Sequence, residues 1–303
     1  VAILNFGSLN IDHVYSFTRF VRPGETISCT DYQRFAGGKG LNQSVALAAA
    51  DATVFHAGKV GPDGEQLLAV LKEHGVDSRF VAVDTIPSGH AIIQVDAEGE
   101  NSIFLYPGAN HAIHHDEVSS VLKHFDKDDI VLLQNEVNAT DYIIREAAAK
   151  GMTIVFNPAP MTPEVLSYPL ECIDCFILNE TEAQGMSGGI HSDNILEDLH
   201  ARFPHATIVL TLGKRGVVIA EGSEVIEVPA FPVQAVDTTA AGDTFVGYFL
   251  AEKSHGRSTT SALQIGCAAS ALCVGKTGAV PSIPQRADVE AFLRLHGTML
   301  PCE

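Results

Sequence analysis

Asp237-Thr238-Thr239-Ala240-Ala241-Gly242-Asp243-Thr244-Phe245 is a turn of small residues that runs straight into an apolar stretch ending near Leu250. The stretch reads as a helix opening at Ala241. Small side chains at Ala240, Ala241 and Gly242 let backbone N–H groups approach an incoming anion. Unsatisfied amides and the positive end of the helix dipole make such a terminus an anion site. Asp243 is the unexpected residue. A lone acid in a first helical turn is ordinarily a dipole partner. Beside an anion hole it can instead take the proton of a hydroxyl that attacks a phosphoryl group held by those amides. This second reading requires other polar residues to converge on Asp243.

Strand-like and helix-like runs alternate along the chain. Residues 1–6, 53–60, 130–134, 153–156, 175–178 and 207–211 are short apolar runs with strand character, and residues 216–228 read as a hairpin. Helical patterns cover 64–74, 139–150, 194–203, 241–252, 261–274 and 287–295. Alternation of this kind predicts an α/β fold in one domain over residues 1–303: three layers, α/β/α, with a mostly parallel central sheet. Two further pairs of β-like runs, 14–20 with 26–32 and 90–96 with 101–106, have no helix between their members. They predict a small β-sheet lid, in segments at about 13–33 and 89–106, that keeps water from competing with an acceptor hydroxyl.

Polar residues follow several of the predicted strands: Asn10 and Asp12, Glu136, Asn179 and Glu182, Thr211 and Gly213, then Asp243. In a parallel sheet these carboxyl ends share one edge, so distant residues meet in one crevice. Polar βα turns are also common without function, and it is the convergence that favours a site. Ala36-Gly37-Gly38-Lys39-Gly40-Leu41-Asn42-Gln43 precedes a helical run from Ser44, with glycines for close backbone approach and donors at Lys39 and Asn42. It lacks the spacing of a P-loop or of a dinucleotide-binding glycine motif.

The 303 residues carry 19 Lys plus Arg against 37 Asp plus Glu, a formal charge of −18, which excludes a basic footprint for nucleic acid or an anionic membrane. A phosphorylated ligand must then be held by backbone dipoles, a few placed cations and a metal ion. The apolar start has no basic flank or cleavage site, and no stretch reaches the roughly 18 apolar residues of a membrane span, so a cytoplasmic protein is expected. Cysteines stand at 29, 172, 175, 267, 273 and 302. Cys172 and Cys175 have redox or metal spacing without a second pair, so buried thiols are expected. His111, His114 and His115 lie in a polar connection and are expected to be solvated.

Residues 37–43, Asn157-Pro158-Ala159-Pro160, Asn179-Glu180-Thr181-Glu182, Thr211-Leu212-Gly213-Lys214-Arg215-Gly216 and the opening motif together resemble the ribokinase (PfkB) family of carbohydrate kinases, in order and spacing, over nearly the whole chain. They resemble its ribokinases more than its nucleoside or phosphosugar kinases. The resemblance implies an ATP-dependent kinase for a neutral pentose, D-ribose first, with ADP and the 5-phosphate as products. It makes Asp243 the base and the amides of Ala241, Gly242 and Asp243 the anion hole. It assigns the sugar to Asn10, Asp12, Gly38, Lys39, Asn42, Glu136 and Asp243. ATP goes to Asn179, Thr211, Gly213, Gly216, Gly242 and Cys267, and Mg²⁺ to Glu182 through water. A K⁺ site is implied at Asp237, Thr239, Cys273, Lys276, Gly278 and Ser282, several through carbonyls, as is a homodimer through the lid. Leu41 departs from the family's smaller residue beside the sugar loop. Alternatives are another sugar such as deoxyribose or fructose, a nucleoside walled by Phe104 and Tyr106, or a catalytically silent sugar- or nucleotide-binding regulator.

Overall fold

Strands apolar on both faces are buried only when helices cover both sides of their sheet. The computed structural model, which describes residues 1–188 and 194–297, builds that arrangement. The N-terminal elements are β1 (Ile3–Phe6), β2 (Asn10–Ser16), β3 (Asp31–Gly37), α1 (Lys39–Ala49), β4 (Val54–Val60), α2 (Glu65–Glu73), β5 (Asp77–Val83), β6 (Gly89–Val95) and β7 (Asn101–Tyr106). Then come α3 (His115–Leu122), β8 (Ile130–Gln134), α4 (Thr140–Lys150), β9 (Thr153–Asn157), β10 (Cys175–Asn179), α5 (Glu180–Met186), α6 (Ile195–Arg202) and β11 (Thr207–Thr211). The chain closes with β12 (Val217–Glu221), β13 (Glu224–Val228), α7 (Ala241–Ser254), α8 (Thr259–Cys273) and α9 (Arg286–Leu295).

Nine strands form the main sheet in the order β13-β12-β11-β10-β9-β8-β1-β4-β5. Only the pairings β11–β12 and β12–β13 are antiparallel. Successive residues of a strand face opposite sides, and the core divides accordingly. Ile3, Leu132, Val155, Ile177 and Val209 pack with Val45, Leu67, Phe249, Leu263 and Val289 of α1, α2, α7, α8 and α9. Leu4, Val131, Phe156, Leu178 and Leu210 pack with Val118, Ile143, Ala183 and Leu199 of α3 to α6. Helices α7 and α8 are apolar nearly all round and buried over most of their length, as helices inside a layer must be.

The small sheet runs β3-β2-β6-β7. Its central pair β2–β6 is parallel, because α1, β4, α2 and β5 intervene between the two hairpin-like pairs. Its first strands lie away from the expected positions. After residues 7–9 the chain is already extended at Asn10, which pairs with Gly37 and Gly89, so Asn10 and Asp12 begin a strand of the small sheet instead of lying in a turn. Residues 26–30 form no strand. β3 starts at Asp31 and runs directly to Gly38, whose φ of 93° turns the chain into α1. That helix opens at Lys39, well before Ser44, so Lys39, Asn42 and Gln43 project from its first turns.

β5, α3 and α5 have no counterpart in the sequence reading; β5 is half-buried and mixed in polarity, and α3 and α5 are short. His111, His114 and His115 are exposed as expected, with His114 capping α3 and His115 stacked on Tyr142 at 3.9 Å. Cys172 and Cys175 pack against opposite cores and remain free thiols. Buried thiols describe Cys267 and Cys273, whereas Cys29 is exposed, and Cys302 lies outside the described residues. Among the described residues no helix is long and apolar enough to cross a membrane.

The site depends on how closely α7 approaches α1. Gly247 allows the contact: a Cβ there would collide with the Ala46 methyl and come within 2.8 Å of the Ala46 carbonyl carbon and the Leu47 nitrogen. Tyr248, fully buried, donates to Pro284 O at 2.7 Å, ahead of α9, and its hydroxyl also lies 3.3 Å from Ala49 O of α1. Gly247→Ala gains roughly 1 kcal/mol of helix propensity but overpacks at a cost of about 1–3 kcal/mol. We expect a net loss of stability by urea denaturation; a variant more stable than the parent would contradict the contact.

Candidate active site

Helix α7 opens at Ala240, a non-glycine residue held in the left-handed region at φ 60°, with no side-chain cap. Ala241 N–H is partly used, donating to Thr238 O at 3.3 Å. Among the described residues no acceptor meets the amides of Gly242 and Asp243, and the space a Gly242 side chain would take is open. The expected three-amide hole is thus two free amides plus one engaged in the turn.

The Asp243 carboxylate is buried and held from α1: Asn42 Nδ2 donates to Oδ2 at 3.0 Å and Gln43 Nε2 to Oδ1 at 2.9 Å. Glu136, after β8, accepts from Lys39 N–H at 3.0 Å and from Ser8 Oγ. Burial pushes its carboxyl above the ordinary range, opposed by Lys39. Asp243, with Glu136 and Glu182, holds the Lys39 ammonium above its ordinary range against the pull of burial. Asp12 is pushed up to about 7 by burial and by Glu136. Asn10, buried, accepts on Oδ1 from Asn110 Nδ2 at 2.7 Å. Asn42 Oδ1 is buried without a partner. Leu41, in contrast, is fully buried in the helical core, so it does not line the sugar side of the loop.

Asn179 caps α5 by accepting Glu182 N–H at 2.9 Å, while Glu182 accepts Asn179 N–H at 2.9 Å and Asn179 Nδ2 at 3.0 Å. Burial also raises the Glu182 carboxyl. Beside the anion hole opens a cavity of about 520 Å³ lined by Thr211, Gly213, Gly216, Gly242 and Cys267, and by Phe231, Pro232, Val233 and Ala235. This last group follows β13 in a stretch without strand or helix, and no periodicity marked it. Burial takes the Cys267 thiol up to about 12, so it is a wall and not a nucleophile.

Asp237 ties two loops together: Oδ1 accepts Thr239 N–H at 2.9 Å and Oδ2 accepts Gly278 N–H at 2.9 Å. Cys273 Sγ contacts Thr239 O at 3.6 Å and Ser282 Oγ at 3.0 Å, and Lys276 N–H donates to Cys273 O at 3.0 Å. The described residues hold no group of three or more His, Cys, Asp or Glu suited to a metal, so a cation here would need carbonyl and hydroxyl oxygens beside the Asp237 carboxylate. The sequence reading passed over Gln43, Asn157, Ser8 and Asn110 as site residues. Gln43 and Asn157 belong to the glycine-rich and Asn-Pro-Ala-Pro motifs, where an amide at a glycine-rich helix start or a strand end is the available signal.

The model of the pfkB family carbohydrate kinases matches residues 2–286. The chain belongs to this family. A ribokinase of Haemophilus influenzae is 36% identical over 299 residues, 95% of this chain and 96% of that one. Among solved structures, a ribokinase from Cryptococcus neoformans in complex with ADP superposes with a TM-score of 0.83 at 34% identity, covering 96% of this chain and 98% of the other. An Arabidopsis thaliana ribokinase complexed with ribose and ATP gives a TM-score of 0.84 at 29% identity, with the same coverages of 96% and 98%. As a pfkB carbohydrate kinase the chain has the expected three-layer fold with its small second sheet.

Proposed function

We propose that this pfkB kinase transfers the γ-phosphoryl group of ATP to the terminal hydroxyl of D-ribose, giving D-ribose 5-phosphate and ADP. The observation that carries the reading is an open helix N-terminus with a buried carboxylate, bonded from a second helix, in its first turn. The sugar hydroxyl gives its proton to Asp243 as its oxygen bonds to the γ-phosphorus. The bond from that phosphorus to the β–γ bridging oxygen breaks, and ADP leaves with the electron pair. The Gly242 and Asp243 amides offset charge on the transferring group, and Ala241 joins them by releasing Thr238.

Asn10, Asp12, Gly38, Lys39, Asn42 and Glu136 supply the donors and acceptors that sugar hydroxyls need, and the unpartnered Asn42 Oδ1 supports this. A phosphosugar would add a dianion beside Asp12, Glu136 and Asp243 with Lys39 as the nearby cation, which favours a neutral acceptor. The nucleoside alternative loses its proposed base wall. In the lid register Asp12, Ala91 and Leu105 share one face, while Phe104 and Tyr106 stand on the other with His13 and His90. Asn179, Thr211, Gly213, Gly216 and Cys267 would hold ATP along the cavity.

Mg²⁺ fits Glu182 through water, because both carboxylate oxygens are already anchored by Asn179 amide groups; bound there it would neutralise phosphate charge. The Asp237 carboxylate and the carbonyls and hydroxyls of residues 239 and 273–282 form a hard-oxygen set suited to K⁺, with Lys276 acting through its backbone. Exposed Ile103, Phe104, Leu105 and Tyr106 support pairing of two lids in a homodimer. The use of ATP supports a cytoplasmic setting, and the formal charge of −18 argues against nucleic acid as a partner.

Asp243→Asn keeps the size and the fold but cannot accept the proton. We expect ribose phosphorylation to fall about 10²- to 10⁴-fold with ATP binding retained; near-normal turnover would sink the assignment. Replacing K⁺ by Na⁺ at constant ionic strength is expected to lower kcat by loosening the loops behind the anion hole. Equal rates in both salts would remove the cation site.

A further inference from the structure

Buried polar side chains between the main sheet and α1 form one chain of hydrogen bonds whose donor directions are set from its far end. Gly7 O can only accept, so His56 Nε2 carries the proton across 3.2 Å, and burial that takes His56 down to about 4 keeps the ring neutral. His56 Nδ1 then accepts from Ser44 Oγ at 2.8 Å, and Ser44 Oγ accepts from Asn5 Nδ2 at 2.8 Å. Gln134 Nε2 donates to Asn5 Oδ1 at 2.9 Å and to Gln43 Oε1 at 2.7 Å. Both Nε2 protons of Gln43 are thereby directed onward, to Asp243 Oδ1 at 2.9 Å and Asn157 Oδ1 at 3.1 Å. Asn157 Nδ2 continues to Ile177 O at 2.9 Å and Glu182 Oε2 at 3.4 Å.

Three other helices show where an acid at the Asp243 position goes when the residue before the helix is extended; before α7 that residue, Ala240, is left-handed. Asp243 is the third residue of α7, and the acids at the same position of α3, α5 and α9 all fold back onto the backbone N–H at their own helix start. Glu117 reaches His114 N–H at 2.8 Å, Glu182 reaches Asn179 N–H at 2.9 Å and Asp288 reaches Gln285 N–H at 3.3 Å. This is the ordinary capping-box behaviour of such an acid. In α7 it would bring a carboxylate toward the amides that must receive a phosphoryl group. Asp243 instead faces α1, bonded by Asn42 and Gln43.

We infer that Gln43 is a positioning residue for phosphoryl transfer: oriented by Gln134, its amide draws the Asp243 carboxylate off the helix start, keeps the anion hole clear and aims the base at the acceptor hydroxyl. The inference rests on the sugar-kinase reading above. Asn42 shares the hold on Asp243 but also faces the sugar side, so Gln43, fully buried and satisfied within the protein, separates positioning from binding.

The test is a mutant cycle on kcat with ribose and ATP, on variants shown to be folded by thermal melting. Gln43→Met removes the donor at similar volume. We expect kcat to fall about 10- to 100-fold, the scale for a misaimed catalytic group, with KM for ribose within threefold. In an Asp243→Asn background the same change is expected to cost nothing further, because the base on which it acts is gone. Gln43→Glu, which replaces the donor by an acceptor, is expected to follow the same pattern and carries the test if the methionine variant does not fold. A folded variant that keeps kcat within threefold, or that loses the same factor in both backgrounds, overturns the positioning role alone. Absence of ribose turnover in the wild type overturns the sugar-kinase reading and this inference with it.

Discussion

A carboxylate taken out of water must be given hydrogen-bond donors, and for Asp243 those donors come from a helix some two hundred positions earlier in the chain. That requirement fixes how α1 and α7 cross. Gly247 and Ala46 are small at the crossing so that the helix axes can close to the distance at which Asn42 and Gln43 reach across. Tyr248, buried in the same region, places its hydroxyl 3.3 Å from Ala49 O of α1. The site is therefore a product of helix packing as much as of loop sequence, and the surrounding polar residues are arranged about that one contact.

The sheet supplies the other half. Parallel strands deliver their carboxyl ends to one edge, and β1, β8, β9, β10 and β11 place residues 7–9, Glu136, Asn157, Asn179 and Thr211 along it. Two cores, one on each face, pack against the strands that reach that edge. The acids gathered there would repel one another in a dry crevice. Lys39 and the amides of Asn42, Gln43, Asn157 and Asn179 offset them, within a chain whose formal charge is −18.

Much of this was legible in the sequence because the signals were periodic or chemically unusual. The strands of the main sheet other than β5 and the long helices announced themselves by apolar pattern, and the small-residue turn before Asp243 by composition. What escaped had a physical reason. β5 is half-buried and mixed in polarity, and α5 is a single short helix whose capping residues read as a turn. The start of α1 was displaced because three glycines disguise helical residues as loop. Gln43 escapes because a buried amide declares its role only when its partners from other strands are known. Leu41 illustrates the converse: its neighbours in sequence face the site, while helical geometry turns it into the core.

Specificity is where the account is most exposed. A pocket of alternating donors and acceptors, with Phe104 and Tyr106 turned to the other face of the small sheet, should select a small neutral polyol over a nucleoside or a phosphosugar. The direct measurement is kcat/KM for D-ribose, deoxyribose, fructose, adenosine and fructose 6-phosphate with saturating ATP and Mg²⁺. The account predicts D-ribose highest, with adenosine and fructose 6-phosphate poor acceptors, and a clear preference for either of those two would contradict it.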